Sequence, residues 1–185
     1  MIVSIKHVDS DMTEPKRTPE GEAMTGATLD LFRLVSLLLT SGDRLVAHLG
    51  LTSARWQVLG AIIASERPQP VAWLARDMGA NRQNVQRIIN DLHAEGLVAF
   101  DENPHHRRAQ LVTLTAKGRQ TFDAAMRLQA PWINRLSRDL SLKDVQTFHR
   151  VIVALRQRLE TGAGALETAE PPAITTARGS RRRRS

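Results

Sequence analysis

Apolar residues recur at helical spacing in the middle of the chain and divide one segment into two faces. Between residues 82 and 95 they follow i, i+3, i+4, i+7 spacing and share one stripe of a 3.6-residue period: Val85, Ile88, Ile89 and Leu92. The opposite side carries amides and an arginine: Gln83, Arg87 and Asn90, with Asn84 and Gln86 on the flanks. The pattern predicts an amphipathic helix with a polar outer face.

A shorter helix is predicted just before it. Pro70 suits a first helical position, where its missing N–H is not needed, and Gly79 is placed to end the helix. Asn81 can cap the next helix through its side-chain oxygen, which leaves a turn of about three residues, and Gly96 closes that second helix. The stripe expected to be buried consists of Val71, Leu74, Ala75 and Met78. These features predict a helix-turn-helix.

Two strands and a basic connection follow the second helix. Residues 97–100 and 110–114 have strand composition, and Asn103-Pro104 in the polar connection is a turn signal. The tip of the connection carries His105, His106, Arg107 and Arg108. Such a hairpin is a wing that can reach phosphates or an adjacent minor groove.

The helix-turn-helix and the wing together predict DNA binding. Amide and arginine side chains form bidentate hydrogen bonds to adenine and guanine edges in the major groove. A polar outer face alone is typical of any solvated surface helix. The ordered set of helix, turn, amide-rich helix, strand, basic loop and strand favours DNA binding over that alternative.

The segments before and after the helix-turn-helix and the wing are predicted to be helical, with apolar surface that must be covered. A helix over about 27–49 is apolar on most sides and therefore has to be buried. The next helix should be capped by Thr52 or Ser53. Beyond the wing, Thr115 can cap a helix that Pro131 should kink or divide.

Ser141 and Asp144 resemble a capping box for a final helix. That helix has a seam spaced 3, 4, 3, 4, formed by Val145, Phe148, Ile152, Leu155 and Leu159. Simple core packing would give the same seam. Combined with the apolar first helix, the seam favours a helical dimer interface.

Length and charge suggest one domain with two tails. We predict a disordered arm over 1–24, a domain over 25–160, and a disordered basic tail over 161–185. Within the domain, 51–114 would form the DNA-binding lobe, and 27–49 and 115–160 the dimerisation helices. The net charge of +7 and the pI of about 11.1 favour a polyanionic partner. The tail contributes five arginines against two glutamates, and either adds non-specific phosphate affinity or is only solvated.

Several function classes are disfavoured. The chain has no cysteine, which excludes disulfides and thiolate metal sites. The longest apolar stretch, around 34–39, is far shorter than the roughly 20 residues that cross a bilayer, and no signal-peptide pattern is present, so we expect a cytoplasmic protein without membrane contact. His105 and His106 lack neighbouring ligands, and no phosphate loop or nucleophile elbow occurs. We therefore predict no enzyme, metal or cofactor.

Three phrases resemble a known family: LTSARWQVLGAI, VAWLARDMGANRQNVQRIINDLHAEGLV and HHRRAQLVTLTAKG. Over roughly 28–160 the chain is similar to MarR-type winged-helix transcription regulators. The resemblance implies a mainly α fold with a small β-wing, and a triangular homodimer joined by the first, fifth and sixth helices. It also implies a recognition helix in the major groove and a wing arginine, here Arg108, in the minor groove. Because such a dimer is two-fold symmetric, we expect a palindromic operator. Repression there is favoured over activation. The predicted DNA contacts are Asn81, Arg82, Gln83, Asn84, Gln86, Arg87, Asn90, Arg107 and Arg108.

The wing departs from the family pattern. Members usually have an aspartate two residues before the wing arginine, where it can pair with the guanidinium. His106 stands there in this chain. We expect Arg108 to be held differently, with Asp101 or Glu102 as candidates.

Family members often release DNA when a small aromatic molecule binds between the dimerisation helices and the DNA-binding lobe. By position the candidate lining residues are His48, Arg55 and Trp56; a core aromatic is the simpler role for Trp56 and a helix-end residue for His48. A winged helix used only for protein pairing or RNA binding is the alternative function.

Overall fold

A computed structural model of the chain describes residues 16–104, 106 and 109–166. The described part is mainly helical, with one small antiparallel sheet, as predicted for a winged helix. The elements are α1 (Pro19–Val46), a 3₁₀ turn (Ala47–Leu49), α2 (Ser53–Ala64), β1 (Gln69–Pro70), α3 (Val71–Asp77), α4 (Arg82–Ala94), β2 (Val98–Asp101), β3 (Leu111–Leu114), α5 (Ala116–Leu136) and α6 (Leu142–Leu166). The chain forms two compact units, divided between Asn134 and Arg135.

The core of the first unit lies among α2, α3, α4 and the sheet. The largest fully buried side chains are Val46, Val58, Leu59, Leu74, Val85, Ile89, Leu92, Val98 and Val112. The predicted apolar stripe of α4 is confirmed, since Val85, Ile89 and Leu92 are buried and Ile88 packs partly buried against them. This burial holds the polar face of α4 outward.

The boundaries of the helix-turn-helix follow the sequence signals closely. The Asn81 Oδ1 accepts from the backbone N–H groups of Gln83 at 2.9 Å and Asn84 at 3.2 Å, which confirms the predicted cap. Gly79 and Gly96 follow the two helices with φ of +60° and +72°, the left-handed region that glycine adopts without strain.

Pro70 has a different role from the predicted one. It lies in extended backbone before α3, and Gln69 and Pro70 form β1, which pairs antiparallel with β3 in the register Gln69↔Val112 and Pro70↔Leu111. The sheet order is therefore β1-β3-β2. A two-residue strand has no periodicity, so the sequence did not indicate it.

The first helix begins eight residues before the predicted start. The Thr18 hydroxyl accepts from the Gly21 N–H at 3.1 Å, Pro19 is the first helical residue, and Glu20 and Glu22 lie in the first turn. A backbone hydrogen bond and the Thr18 hydroxyl lower the pKa of Glu20. The predicted arm 1–24 is thus wrong for 19–24, and its residues 1–15 lie outside the described part.

Most of α1 is exposed in the single chain. Only Gly42 and Val46 of this helix are buried, although buried surroundings were predicted for all of it. The exposed large side chains are Met24, Leu29, Phe32, Leu34, Val35, Leu37, Leu38 and Leu39. Among the residues that the structure describes, nothing covers these side chains.

By length and composition alone, the stretch Pro19–Leu49 could cross a membrane. Its most apolar 18 residues have a mean hydropathy of 1.3, so the expectation that no segment is long enough was wrong. The same helix is hydrogen-bonded to α2 within the first unit, however. The Ser53 Oγ donates to the Leu39 carbonyl at 2.8 Å, and the Ser53 N–H donates to Asp43.

Thr115 caps α5, as predicted, by accepting from the Gly118 N–H at 3.0 Å. The helix then runs through Pro131 without being divided. Trp132 Nε1 donates to the Ser41 hydroxyl at 3.2 Å and so connects α5 to α1.

The second unit consists mostly of α6. The Ser141 Oγ accepts from the Asp144 N–H at 3.1 Å and donates to the Asp144 carboxylate, which confirms the predicted start. Of the predicted seam, Val145, Phe148 and Leu159 are exposed. Residues 161–166 continue α6, so the predicted disordered tail is wrong there, and 167–185 lie outside the described part.

Candidate nucleic-acid interface

The outer face of α4 presents six polar side chains, which we call the recognition face. Five are exposed and Gln86 is half-buried: Arg82, Gln83, Asn84, Gln86, Arg87 and Asn90. The Gln86 Nε2 donates to the Asn90 Oδ1 at 3.0 Å, and the Arg87 Nη2 donates to the Asn84 Oδ1 at 3.3 Å. These bonds hold long side chains in defined positions, which reduces the rotamer entropy lost when they bind a partner.

The recognition face is positively charged. Residues 82–90 include Arg82 and Arg87 and no carboxylate, while Asp91 and Glu95 lie beyond them toward the carboxyl end of α4. A cationic surface with amide donors and acceptors fits the phosphates and base edges of a nucleic acid.

The wing, residues 98–114, is a hairpin with the register Val98↔Leu114 to Asp101↔Leu111. Its turn is closed by Asn103: the Nδ2 donates to the Ala109 carbonyl at 2.8 Å, and the Asn103 carbonyl accepts from the His106 N–H at 3.2 Å. His106 is exposed, as a surface residue of the tip should be. His105 and the predicted contacts Arg107 and Arg108 lie outside the described residues.

Three other elements fix the carboxyl end of α4. Arg55 on α2 forms an ion pair with Glu95 at 2.5 Å and donates from Nη1 to the Gly50 carbonyl at 2.7 Å. The Lys117 Nζ donates to the Glu95 carbonyl at 2.8 Å, and the Thr115 hydroxyl donates to the Gly96 carbonyl at 2.7 Å. We call this set the α4 junction. Sequence reasoning missed it because the contacts span up to 40 positions of the chain.

A groove of about 420 Å³ lies between α1, α2 and α5. Trp56 lines it and also packs partly buried against the core, whereas His48 and Arg55 are not among its lining residues and Arg55 is engaged in the α4 junction. The lining residues are Leu38, Leu39, Gly42, Ser53, Trp56, Gln57, Gly60, Phe122, Met126, Gln129, Trp132 and Ile133. Those on α5 were not predicted, since nothing in the sequence indicates which face of α5 meets α2.

Within the described part of the chain, no group of three or more His, Asp or Glu side chains could hold a metal ion.

Comparison with known proteins gives consistent results. The MarR family model matches residues 49–109. An uncharacterized protein of Mycobacterium tuberculosis is 38% identical over 131 residues, covering 69% of this chain and 90% of that protein. The transcriptional activatory protein BadR of Rhodopseudomonas palustris is 34% identical over 149 residues, covering 75% of this chain and 82% of BadR.

Solved structures share the fold. The match to the crystal structure of a MarR family transcription regulator covers 81% of this chain and 97% of that regulator, with a TM-score of 0.68 and 20% identity. The transcriptional repressor CouR, bound to a 23-mer DNA duplex, covers 76% and is covered to 99%, with a TM-score of 0.65 and 24% identity.

Proposed function

The chain belongs to the MarR family of winged-helix transcription regulators, and on that premise we propose that it binds a palindromic operator as a homodimer and represses transcription there. The recognition face of α4 enters the major groove. The wing, through Arg107 and Arg108, contacts phosphates and the adjacent minor groove.

The observation that carries this proposal is the recognition face itself. Its amides and arginines are exposed, while the opposite stripe of α4 is buried in the core. Gln83, Asn84 and Arg87 lie in the first turns of the helix, the part that reaches base edges in helix-turn-helix proteins. Arg82 supplies charge toward the phosphates.

Dimerisation is supported by the apolar surface of α1. Eight large apolar side chains of this helix, from Met24 to Leu39, are exposed, and contiguous apolar surface of this kind marks an interaction site. In α6, Val145, Phe148 and Val151 are exposed as well. A second copy would cover such surfaces and place two recognition faces about 34 Å apart, one turn of B-DNA.

We also propose that a small aromatic molecule regulates the protein by binding in the α1–α2–α5 groove. The groove has a volume within the usual range for ligand sites, and aromatic and aliphatic side chains form most of its wall. Such a molecule releases DNA only if it binds the DNA-free conformation more tightly than the DNA-bound one. Of the three residues proposed from sequence as ligand contacts, Trp56 is the one that lines this groove.

Repression follows where the operator overlaps the promoter, because the bound dimer then excludes the polymerase. Among the proteins that this chain is similar to, CouR is a repressor and BadR is an activatory protein. Expression of a reporter gene placed under the promoter of the gene for this protein should rise when that gene is deleted. A fall in reporter expression would show that the protein is an activator. The proposed site of action is the cytoplasm.

Fluorescence anisotropy tests the central proposal. Full-length protein is titrated into a duplex selected by it from a random library and into a shuffled duplex of equal composition. Saturable binding that prefers the selected duplex supports the proposal. Equal binding to both, or preference for RNA, would support the alternative of a winged helix without operator specificity.

A further inference from the structure

The wall of the wing that faces α3 encloses a second groove, of about 640 Å³, which we call the Trp73 groove. Trp73 on α3 forms one side, and Pro104 and His106 of the wing turn form the other. Arg67 and Pro68, from the loop before β1, complete it. All of these residues lie in the first unit.

Trp73 is unusually exposed for an indole, at 45% of its surface. The side chain is apolar over most of its area, so leaving it in water forgoes a large burial free energy. The Arg76 guanidinium lies 5.6 Å from the centre of the ring and covers part of it. The rest of the ring is available to a partner.

The Trp73 groove is continuous with the recognition face. A smaller depression of about 240 Å³ lies next to it and is lined by Arg82, Gln86 and Asn90 of that face. Pro70, Ala72 and Ala109 line both depressions. One surface therefore runs from the recognition face across the start of α3 to Trp73.

The charge of the Trp73 groove matches a polyanion. Arg67 lines it, Arg76 lies on the indole, and none of the described lining residues is a carboxylate. Asp77 pairs with Arg76 at 3.5 Å and is not among the residues that line the groove.

We propose that the Trp73 groove seats the sugar–phosphate backbone of the DNA strand that flanks the recognition face. The indole packs against a deoxyribose and its Nε1–H faces a phosphate, while Arg67 contacts the next phosphate. The proposal rests on the proposed DNA-binding function and adds to it a backbone contact outside the recognition face and the wing arginines. Trp73 then sets affinity and register, and base preference stays with α4.

Anisotropy titrations with three variants test this, using the selected duplex and the shuffled duplex at salt concentrations between about 50 and 200 mM. Trp73→Ala should weaken binding to both duplexes by about 5- to 20-fold with little change in salt dependence, because an apolar contact is lost. Trp73→Phe should retain most of the affinity. Arg67→Ala should reduce the salt dependence by about one phosphate contact per subunit.

Arg119→Ala, an exposed arginine on α5, is the matched control and should leave both titrations unchanged. Wild-type affinity of Trp73→Ala and Arg67→Ala for both duplexes would overturn the inference. So would normal DNA binding by Trp73→Ala together with lost regulation of transcription in a reconstituted assay with RNA polymerase, which would assign the groove to a protein partner. If the wild-type protein itself does not distinguish the two duplexes, the proposed function fails instead.

Discussion

Arg87 and Arg108 are proposed to contact different parts of the DNA. Arg87 lies on the recognition face, where the Asn84 amide orients its guanidinium at 3.3 Å. Arg108 belongs to the wing, and its predicted role comes from the family pattern. We propose that Arg87 contacts base edges and that Arg108 contacts the backbone or the minor groove.

Replacing each arginine should therefore change DNA binding differently. Arg87→Ala should reduce discrimination between the selected and shuffled duplexes by about 1–3 kcal/mol, the value of one bidentate base contact. Arg108→Ala should weaken binding to both duplexes alike. Competition gel shifts with Arg119→Ala as control measure both effects; unchanged binding by both variants would contradict the assignment.

Arg55 acts as a positioning residue for α4 in this structure. Its side chain is only 17% exposed and joins Glu95 to the Gly50 carbonyl. Removing it leaves the Glu95 carboxylate without this partner and the turn before α2 without its donor.

Arg55→Ala should lower the free energy of unfolding by about 1–2 kcal/mol in urea titrations. A double-mutant cycle with Glu95→Gln should show a coupling of at least about 0.5 kcal/mol. The exposed pair Arg33–Asp30 is the control, and Arg33→Ala should change stability by less than about 0.5 kcal/mol. Additive effects of the Arg55 and Glu95 variants would show that the ion pair does not stabilise the junction.

At the level of elements, Gly118 determines how closely α5 approaches the end of α4. A Cβ at this position would overlap the carbonyl oxygen of Leu97 and press on the Leu114 side chain. The same carbonyl accepts hydrogen bonds from the Thr115 N–H and hydroxyl. Glycine is required here by packing, because its φ is not positive.

Gly118→Ala should therefore destabilise the protein by about 1–3 kcal/mol, the usual cost of overpacking. Gly26→Ala, in α1 with nothing near its Cβ position, should instead stabilise by about 0.5–1 kcal/mol through helix propensity. Thermal unfolding monitored by circular dichroism compares the two. An unchanged melting temperature for Gly118→Ala would show that α5 can move away from Leu97 at no cost.

Local signals predicted most of these elements, and long-range contacts explain only part of the failures. The caps at Asn81, Thr52, Thr115 and Ser141 were identified because each acts within a few residues of its own side chain. The start of α1 was missed although Thr18-Pro19-Glu20 carries a cap, a proline and an acidic first turn. That signal is as local as the others, but the polar, mixed-charge composition of residues 1–24 is typical of a disordered arm.

The site was only partly predictable for a physical reason. Helical periodicity separates the recognition face from the core stripe, so the residues on α4 follow from sequence. Trp73, the α4 junction and the α5 side of the groove depend on which surfaces meet in three dimensions. A two-residue strand such as β1 is likewise defined by its pairing with β3 and not by its own composition.

At the level of the whole molecule, α1 exposes a long apolar face in the single chain. Phe32 and Leu37 are 66% and 68% exposed in the single chain, and contiguous exposed apolar surface marks an interaction site. A second copy of the chain is the proposed cover.

The double substitution Phe32→Asp and Leu37→Asp should convert the dimer to a monomer. Operator binding should weaken by more than tenfold, because a monomer carries one recognition face where the dimer carries two linked ones. Light scattering after size-exclusion chromatography measures the mass. Ala54→Asp, exposed in the first turn of α2, is the control and should remain dimeric. A monomeric wild-type protein, or recovery of the wild-type protein with the membrane fraction, would contradict the dimer as the cover for α1.

Sequencing of the DNA that the purified full-length protein selects from a random library tests the central claim most directly. The expected result is an enriched palindrome whose half-sites lie about one helical turn apart, bound by two chains, with the enriched bases lost in Arg87→Ala. An unenriched library, or an asymmetric site occupied by one chain and unaffected by Arg87→Ala, would contradict it.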